Sequence, residues 1–252
     1  MEPLLDASWR EVFRGVSRVV AFSGAGMSAE SGIATFRGAG GLWESYRPED
    51  LATPQAFDRH PDVVWRWYRA RHEKVAAARP NAGHLALARW EALFPSLVVV
   101  TQNVDRLHQA AGSSAVLELH GTLCEGHCER CGRREPMGDL LVRGGEPPRC
   151  ACGGRFRPSV VWFGENLPWE AFAAAQEAAR SADVFLAVGT SAMVYPAAGL
   201  IEVAVASGAR VIEVNREPTP LSELADLVLA GASGELLPRL TTEIEACRAA
   251  SR

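Results

Sequence analysis

Six short apolar segments, most of them rich in β-branched residues, constrain the fold more than any other feature of this sequence. Such runs are typical of strands that are buried on both faces of a parallel sheet. The six segments are 18–22, 97–100, 116–119, 184–188, 210–214 and 227–229. Apolar helical patterns lie between several of them, over 82–93, 169–179 and 197–207. This alternation predicts an α/β fold with a doubly wound parallel, Rossmann-like sheet.

Two stretches interrupt the alternation and look like insertions into the sheet domain. Residues 38–80 begin with a Gly-Ala-Gly-Gly run and continue into a Trp-rich helix predicted over 61–78, and residues 122–157 hold paired cysteines. We predict that together they form a smaller discontinuous domain, made of a helical insertion and a zinc-binding module. The predicted divisions are 1–37, 81–121 and 158–252 for the Rossmann-like domain, 38–80 for the helical insertion and 122–157 for the zinc-binding module.

Four of the six cysteines form two close pairs, Cys128 with Cys131 and Cys150 with Cys152. In a chain without a recognisable export signal, such pairs favour a metal over disulfides. The spacing is close to that of tetrahedral structural zinc sites, in which no position stays open for water. We therefore expect these four cysteines to hold one structural Zn²⁺. Cys124 remains an alternative ligand, because only one residue separates the second pair.

Composition narrows the classes of partner. The net charge of −4 and the pI near 5.9 give no overall basic surface, so nucleic acid is not expected as the main partner. No apolar run reaches 18 residues, and the first ten residues lack the pattern of a secretory signal. We expect a cytoplasmic protein that does not enter a membrane.

Polar and glycine residues follow each predicted strand directly. These clusters are Ser23-Gly24-Ala25-Gly26, Thr101-Gln102-Asn103, His120-Gly121, Gly189-Thr190-Ser191, Asn215 and Gly231-Ala232-Ser233. The carboxyl ends of parallel strands lie at one edge of a sheet, where ligands of open α/β folds bind. The six clusters therefore predict one large ligand site.

Three small residues, Gly24, Gly26 and Ala29, match the loose dinucleotide fingerprint G-x-G-x-x-G/A. By itself the match is weak, since an ordinary glycine-rich turn fits equally well. The acidic residue expected about 20 positions later is missing, because Glu44 lies in the first insertion. This absence argues against an ordinary dehydrogenase.

Three polar residues near the predicted site have more than one interpretation. His120, at the mouth of the crevice, fits a general base better than a structural hydrogen bonder. For Asn103 and Asp105, helix capping and ligand contact are equally compatible with the sequence.

Over nearly its whole length the chain resembles the sirtuin family of NAD-dependent protein deacylases. The cysteine pairs are part of the resemblance, and so are these motifs: Gly24-Ala25-Gly26-Met27-Ser28, Ser31-Gly32-Ile33-Ala34-Thr35-Phe36-Arg37-Gly38, Thr101-Gln102-Asn103-Val104-Asp105, Leu107-His108, Ala111-Gly112, His120-Gly121, Val160-Val161-Trp162-Phe163-Gly164-Glu165, Gly189-Thr190-Ser191 and Asn215. One departure is Ala34, where many members carry proline, and it should loosen the following loop without removing a catalytic group.

The resemblance implies an NAD site and a reaction. Catalysis is implied for His120, Asn103 and Asp105, with His120 as general base on a ribose hydroxyl. The products would be free lysine, nicotinamide and O-acyl-ADP-ribose. The residues implied to contact NAD are Gly24, Ala25, Gly26, Phe36, Arg37, Gln102, Asn103, Asp105, Gly189, Thr190, Ser191, Asn215 and Ser233.

The resemblance also implies an acyl-lysine peptide as the second substrate. The peptide would lie extended along Val160, Val161, Trp162 and Phe163, bound through backbone hydrogen bonds, although the composition equally permits a buried core strand.

Tyr68 and Arg71 stand three residues apart on the Trp-rich helix, so their side chains share a face. A guanidinium and a hydroxyl can together bind a carboxylate, and Tyr-x-x-Arg at this place resembles the sirtuins that remove succinyl, malonyl or glutaryl groups. For an arbitrary helix, a solvated arginine beside a packed tyrosine would be the better interpretation. The competing functions are a general deacetylase, a mono-ADP-ribosyltransferase and a non-catalytic NAD-binding interaction protein.

Overall fold

The computed structural model describes residues 3–36 and 41–250. Along this part of the chain the strands are β1 (Arg18–Ser23), β2 (Ser96–Thr101), β3 (Val116–Glu118), β4 (Gly121–Cys128), β5 (Arg134–Pro136), β6 (Phe156–Val160), β7 (Val184–Val188), β8 (Arg210–Asn215) and β9 (Leu227–Ala230). The helices are α1 (Ala7–Gly15), α2 (Leu42–Ser45), α3 (Pro48–Leu51), α4 (Pro54–Arg59), α5 (Pro61–Ala77), α6 (Ala82–Trp90), α7 (Leu107–Ala110), α8 (Met137–Arg143), α9 (Trp169–Ser181), α10 (Gly199–Ala206) and α11 (Ser233–Ala249). Two 3₁₀ helices cover Ala25–Ser31 and Pro220–Glu223.

Six parallel strands form the main sheet, in the order β3-β2-β1-β7-β8-β9. If the six strands are numbered within this sheet, the order is 3-2-1-4-5-6, which is the doubly wound arrangement. Strands before the switch point are added on one side of β1 and strands after it on the other, so the strand order reverses between β1 and β7. All six predicted strands are present, and each end lies within one residue of its prediction. The predicted α/β fold with a parallel Rossmann-like sheet is confirmed.

Helices cover both faces of this sheet because successive strand residues point to opposite sides. Val19 and Ala21 of β1 belong to a core with α1, α6 and α11, in which Trp90 is fully buried. Val20 and Phe22, the alternate residues, belong to a second core with α9 and α10. The apolar runs of the sequence are continuous because both sides of the sheet are covered.

A second, antiparallel sheet has β4 between β5 and β6. A third core joins this sheet to α4 and α5, so the two predicted insertions pack against each other; its large side chains include Phe57, Trp65, Leu123, Phe156 and Trp162. The small sheet extends from Gly121 to Val160, slightly beyond the predicted limits of 122–157. The division into two domains stays a prediction.

Within residues 3–36 and 41–250, no helix is long and apolar enough to cross a lipid bilayer.

A buried hydrogen bond ties α6 to α11. The Trp90 indole nitrogen donates to Thr241 Oγ1 over 2.7 Å, and both side chains are buried. We predict that Thr241→Val lowers the free energy of unfolding by about 1–3 kcal/mol, because the indole N–H loses its acceptor without gaining water. Urea denaturation measures the change.

Thr242→Val is the matched control, because Thr242 is exposed and its hydroxyl bonds only the Pro238 carbonyl oxygen one turn earlier. It should change the free energy of unfolding by less than about 0.5 kcal/mol. Equal losses in the two variants would show that the tryptophan bond contributes nothing specific.

Candidate active site

A cleft of about 640 Å³ lies at the carboxyl ends of the parallel strands, where the main sheet meets the small one. The predicted site residues that line it are Gly24, Ala25, Gly26, Phe36, Tyr68, Arg71, Gln102, Asn103, His120, Val160, Val161, Trp162, Phe163, Gly189, Thr190, Ser191, Asn215 and Ser233. Asp105 is not on the wall of the cleft, and Arg37 lies outside the described residues.

Two glycine turns touch each other at the point where the strand order reverses. The Gly26 amide donates to the Gly189 carbonyl oxygen over 2.8 Å, and the Gly24 amide donates to Val188 over 3.0 Å. A Cβ on Gly24 would lie 2.8 Å from that Gly189 oxygen, and one on Gly26 would lie 2.8 Å from Gly189 Cα. Gly189 itself has φ +58°, in the left-handed region. Glycine is therefore required at these positions by the contact between the two turns.

Asn103 and Asp105 have different surroundings, so helix capping and ligand contact apply to different members of this pair. Asn103 lines the cleft, and its amide nitrogen donates to the Gly24 carbonyl oxygen over 2.9 Å. Asp105 accepts from the Ser28 hydroxyl over 2.7 Å and from the Leu107 amide over 2.9 Å, at the start of α7. Burial raises the pKa of the Asp105 carboxyl above its ordinary value. Asp105 therefore supports the helix start and the 3₁₀ turn from behind the cleft wall.

His120 is held in one tautomer. Its Nδ1 lies 3.0 Å from the Gln102 carbonyl oxygen, which can only accept, so the neutral ring carries its proton on Nδ1. Nε2 is then left as the basic nitrogen. Burial lowers the pKa of His120, although the bond to Gln102 acts in the opposite direction. The ring is thus a neutral proton acceptor at neutral pH, on the wall of the cleft.

Tyr68 and Arg71 both face the cleft from α5. The Tyr68 oxygen accepts a 2.9 Å bond from the Trp162 indole nitrogen, and its ring is almost completely buried. The Arg71 guanidinium carbon lies 4.7 Å from the ring centroid of Phe36 and 4.7 Å from that of Trp67. Burial lowers the pKa of Arg71, partly offset by Tyr68 and Asp105. No carboxylate among the described residues lies within ion-pair distance of this guanidinium.

Trp162 is fixed by an ion pair beneath it. Arg157 forms a 2.6 Å ion pair with Glu165, and its guanidinium carbon lies 3.4 Å from the ring centroid of Trp162. Glu165 also accepts from the Trp162 backbone amide over 2.8 Å. These bonds hold the indole that binds the Tyr68 oxygen, so the ion pair positions Tyr68 indirectly.

The segment expected to bind peptide continues from β6 with its amides already used. Val161 donates to the His120 carbonyl oxygen and Phe163 to that of Ala52, each over 2.9 Å, and the Trp162 amide is bonded to Glu165. Val160 belongs to β6 and pairs with Gly121, whereas the next three residues lie outside the strand. A peptide placed here would find carbonyl acceptors and none of these three donors.

The four paired cysteines come together at one end of the small sheet. The sulfur atoms of Cys128 and Cys152 are 3.5 Å apart, those of Cys131 and Cys150 are 3.8 Å apart, and all four lie within 4.8 Å of one another. Tetrahedral Zn–S bonds of about 2.3 Å place sulfurs about 3.8 Å apart, so the donor set fits zinc. The sulfur of Cys124 is not in this group and lies 4.0 Å from the Asp105 carbonyl oxygen.

Sequence reasoning missed the loop 216–220, which follows β8 and lines the cleft. Its anchor is Glu213, a nearly fully buried carboxylate in the middle of β8 that accepts hydrogen bonds from the Thr219 and Ser222 hydroxyls. A glutamate within the apolar run Arg-Val-Ile-Glu-Val-Asn was the available signal. The segment 193–196 also lines the cleft without having been predicted.

The strand order and the position of the cleft define a doubly wound α/β protein with its ligand site at the switch point. A protein-family model described as "Sir2 family" matches residues 24–196. The chain is 52% identical over 231 residues to the NAD-dependent protein deacylase 2 of Pyrobaculum aerophilum, with 90% of each chain covered. The chain belongs to the Sir2 family, the sirtuins.

Two solved structures are similar over nearly the full chain. A Sir2 homolog–NAD complex matches with a TM-score of 0.88 and 42% identity, covering 99% of this chain and 96% of that chain. A complex described as Sir2–p53 peptide–NAD+ matches with a TM-score of 0.86 and 33% identity, covering 95% and 98%.

The ion pair below Trp162 should stabilise the fold in a pH-dependent way. Burial alone would raise the pKa of Glu165, but Arg157 and the Trp162 amide lower it below the ordinary 4.5. We predict that Glu165→Gln lowers the free energy of unfolding at pH 7 by about 1.5–3 kcal/mol. Because the folded-state pKa is the lower one, the difference between wild type and variant should be complete above about pH 4.5 and shrink as the pH falls.

Denaturation at a series of pH values measures this, with Glu177→Gln as the control. Glu177 makes an exposed pair with Arg180, so its loss should have little effect at any pH. A Glu165→Gln difference that stays constant between pH 7 and pH 3 would contradict the assignment.

Proposed function

We propose that this protein is an NAD-dependent protein lysine deacylase that prefers acyl groups ending in a carboxylate, such as succinyl and malonyl, and that also removes acetyl. The observation that carries the catalytic proposal is His120, a neutral imidazole with its tautomer fixed on the wall of a switch-point cleft. Membership of the Sir2 family supports it, since relatives at about 50% identity are named NAD-dependent protein deacylases. Similar structures include complexes with NAD and with peptide.

The cleft suits NAD because the glycines of the two turns that line it carry no side chains, so a diphosphate can approach the backbone closely. When bound, NAD supplies the electrophilic ribose carbon and accepts the acyl group. The residues proposed to hold it are Gly24, Ala25 and Gly26 at the diphosphate, Phe36, Arg37, Gln102 and Asn103 at the nicotinamide half, and Gly189, Thr190, Ser191, Asn215 and Ser233 at the adenosine half. Asp105 would act from behind Asn103, through Ser28.

His120 takes a proton from a ribose hydroxyl through Nε2 in this proposal. The Gln102 carbonyl oxygen keeps the ring oriented by holding the Nδ1 proton, and it stabilises the imidazolium that forms. The lowered pKa favours the neutral base before the step. One water is consumed as the amide bond to lysine breaks, and the products are free lysine, nicotinamide and O-acyl-ADP-ribose.

Along Val161 and Phe163, peptide amides would donate to the protein's carbonyl oxygens, since the protein amides there are occupied. The Val160 carbonyl oxygen already accepts a hydrogen bond from Arg157 over 3.0 Å. Trp162 differs from its neighbours, because its ring is buried and its indole nitrogen donates a hydrogen bond to the Tyr68 oxygen. We propose that it forms the base of the acyl pocket.

The acidic preference rests on Tyr68 and Arg71. The Tyr68 oxygen already accepts a hydrogen bond from the Trp162 indole N–H, so its own hydroxyl hydrogen is available for a substrate acceptor. Arg71 carries a charge without a carboxylate partner among the described residues, and an unpaired charge in a partly buried place is unfavourable. A terminal carboxylate would satisfy both groups at once.

Mass spectrometry of matched acetyl-lysine and succinyl-lysine peptides, with and without NAD, tests the proposal. We predict faster removal of succinyl, only with NAD, and formation of O-succinyl-ADP-ribose. Arg71→Met should lower kcat/KM for the succinyl peptide about 10- to 100-fold more than for the acetyl peptide, the range of a lost charged hydrogen bond. The ratio is the proper readout, because Arg71 also acts electrostatically on Asp105.

Arg69→Met is the control for that variant, since Arg69 lies on the same helix, is exposed and pairs with Glu146. Faster removal of acetyl by the wild type would leave a general deacetylase, and protein modified with ADP-ribose would indicate a mono-ADP-ribosyltransferase. Binding of NAD without nicotinamide release on any peptide would leave a non-catalytic binding protein.

We also propose that Cys128, Cys131, Cys150 and Cys152 hold one structural Zn²⁺. Elemental analysis should find about one zinc per chain, and Cys150→Ser should lose it together with thermal stability. Cys124→Ser should keep the metal, because that sulfur lies outside the cluster. Full zinc content in Cys150→Ser would contradict the assignment.

A further inference from the structure

Arg71 is enclosed by aromatic rings where a carboxylate would be the usual partner. Its guanidinium carbon is 4.7 Å from the Phe36 centroid, 4.7 Å from the Trp67 centroid and 5.5 Å from the Tyr68 centroid. All three distances are within the range of cation–π attraction. Phe36 and Tyr68 also line the cleft, whereas Trp67 does not.

Trp67 stands four residues before Arg71 on α5, so the two side chains meet along one face of the helix. Its ring is also packed edge-on against Tyr68, with centroids 4.6 Å apart and an interplanar angle of 85°. The Trp67 ring also packs edge-on against Tyr46, with the two ring centroids 6.3 Å apart. Trp67 is therefore fixed between the two groups that face the acyl end of the cleft.

The chemistry of this enclosure differs from that of an ion pair. A carboxylate partner would occupy the guanidinium N–H groups and cancel the charge, so it would compete with an acidic substrate. Aromatic faces stabilise the cation while leaving its N–H donors at the edge of the plane unused. Arg71 thus stays charged and oriented in a partly buried place, and its N–H groups have no carboxylate partner among residues 3–36 and 41–250.

We propose that Trp67 is a specificity-determining positioning residue, which holds the Arg71 guanidinium for acyl groups that end in a carboxylate. This inference rests on the proposed function, since it concerns the same acyl pocket. Trp67 acts through Arg71 and does not touch the substrate. Neutral acyl groups make no use of the guanidinium, so their turnover depends much less on this contact.

The test compares Trp67→Leu and Trp67→Phe with the wild type on succinyl-lysine and acetyl-lysine peptides at saturating NAD. Leucine removes the ring, and phenylalanine retains an aromatic face. Trp67→Leu should lower kcat/KM for the succinyl peptide about 3- to 30-fold more than for the acetyl peptide, mainly by raising KM. Trp67→Phe should restore most of the selectivity, which a merely structural role of the indole would not explain.

A third variant, Trp67→Glu, places a carboxylate four residues before Arg71, in the favourable orientation for an ion pair within the helix. It should lower succinyl selectivity further than Trp67→Leu, because the new carboxylate occupies the guanidinium. Circular dichroism and thermal melting confirm that each variant is folded. Trp169→Leu is the control, since Trp169 is 77% exposed and does not line the cleft.

The outcomes separate this inference from the proposed function. A wild type without preference for succinyl overturns both. A wild type that prefers succinyl, with Trp67→Leu unchanged in selectivity or equally impaired on both peptides, overturns the role of Trp67 and leaves the proposed function standing. Selective loss in Trp67→Leu with recovery in Trp67→Phe supports the inference.

Discussion

The backbone contact between the turn after β1 and the turn after β7 is the constraint on which the rest of the site depends. Gly26 and Gly189 approach so closely that no side chain fits between them. The turns that follow β1 and β7 therefore lie side by side at the carboxyl ends of the strands. The side chains of two neighbouring residues donate hydrogen bonds to these turns. Asn103 donates to the Gly24 carbonyl oxygen, and Gln102 donates to the Thr190 hydroxyl over 2.9 Å. Gln102 in turn orients His120. A small change in the backbone at the switch point would therefore alter both the proposed NAD-binding turns and the orientation of His120, the proposed base.

The strands of the main sheet were predictable because each lies between two helical layers and needs apolar residues on both faces. The location of the site was predictable for a related reason, since polar residues at the ends of parallel strands have few structural uses. The separate surroundings of Asn103 and Asp105 were not predictable, because they depend on Gly24 and Ser28, more than 70 residues earlier in the chain. The role of Glu213 was hidden similarly: its two hydroxyl partners are Thr219 and Ser222, at the start of and within the short 3₁₀ helix Pro220–Glu223, where no hydrophobic periodicity marks them.

The acyl end of the cleft is built differently from the cofactor end. Backbone groups of the main sheet dominate the cofactor end, whereas side chains of α5 and the small sheet form the acyl end. A chain of contacts runs from the Arg157–Glu165 ion pair through Trp162 to Tyr68. The proposed acyl pocket thus depends on the packing of α5 against the small sheet, and the four clustered cysteines lie at the far end of that sheet, where β4 ends.

The occupied amides after β6 have a consequence for the behaviour of the molecule in concentrated solution. Strand β6 is at an edge of the small sheet, and the chain continues from it along the wall of the cleft, where a segment with free donors and acceptors would be a template for aggregation. Because Val161, Trp162 and Phe163 have already used their amides, the segment offers acceptors alone. A strand from another copy could donate hydrogen bonds to this segment but could not accept any from these three amides. The same arrangement that would leave carbonyl oxygens for the proposed peptide substrate therefore discourages pairing of two molecules along this segment.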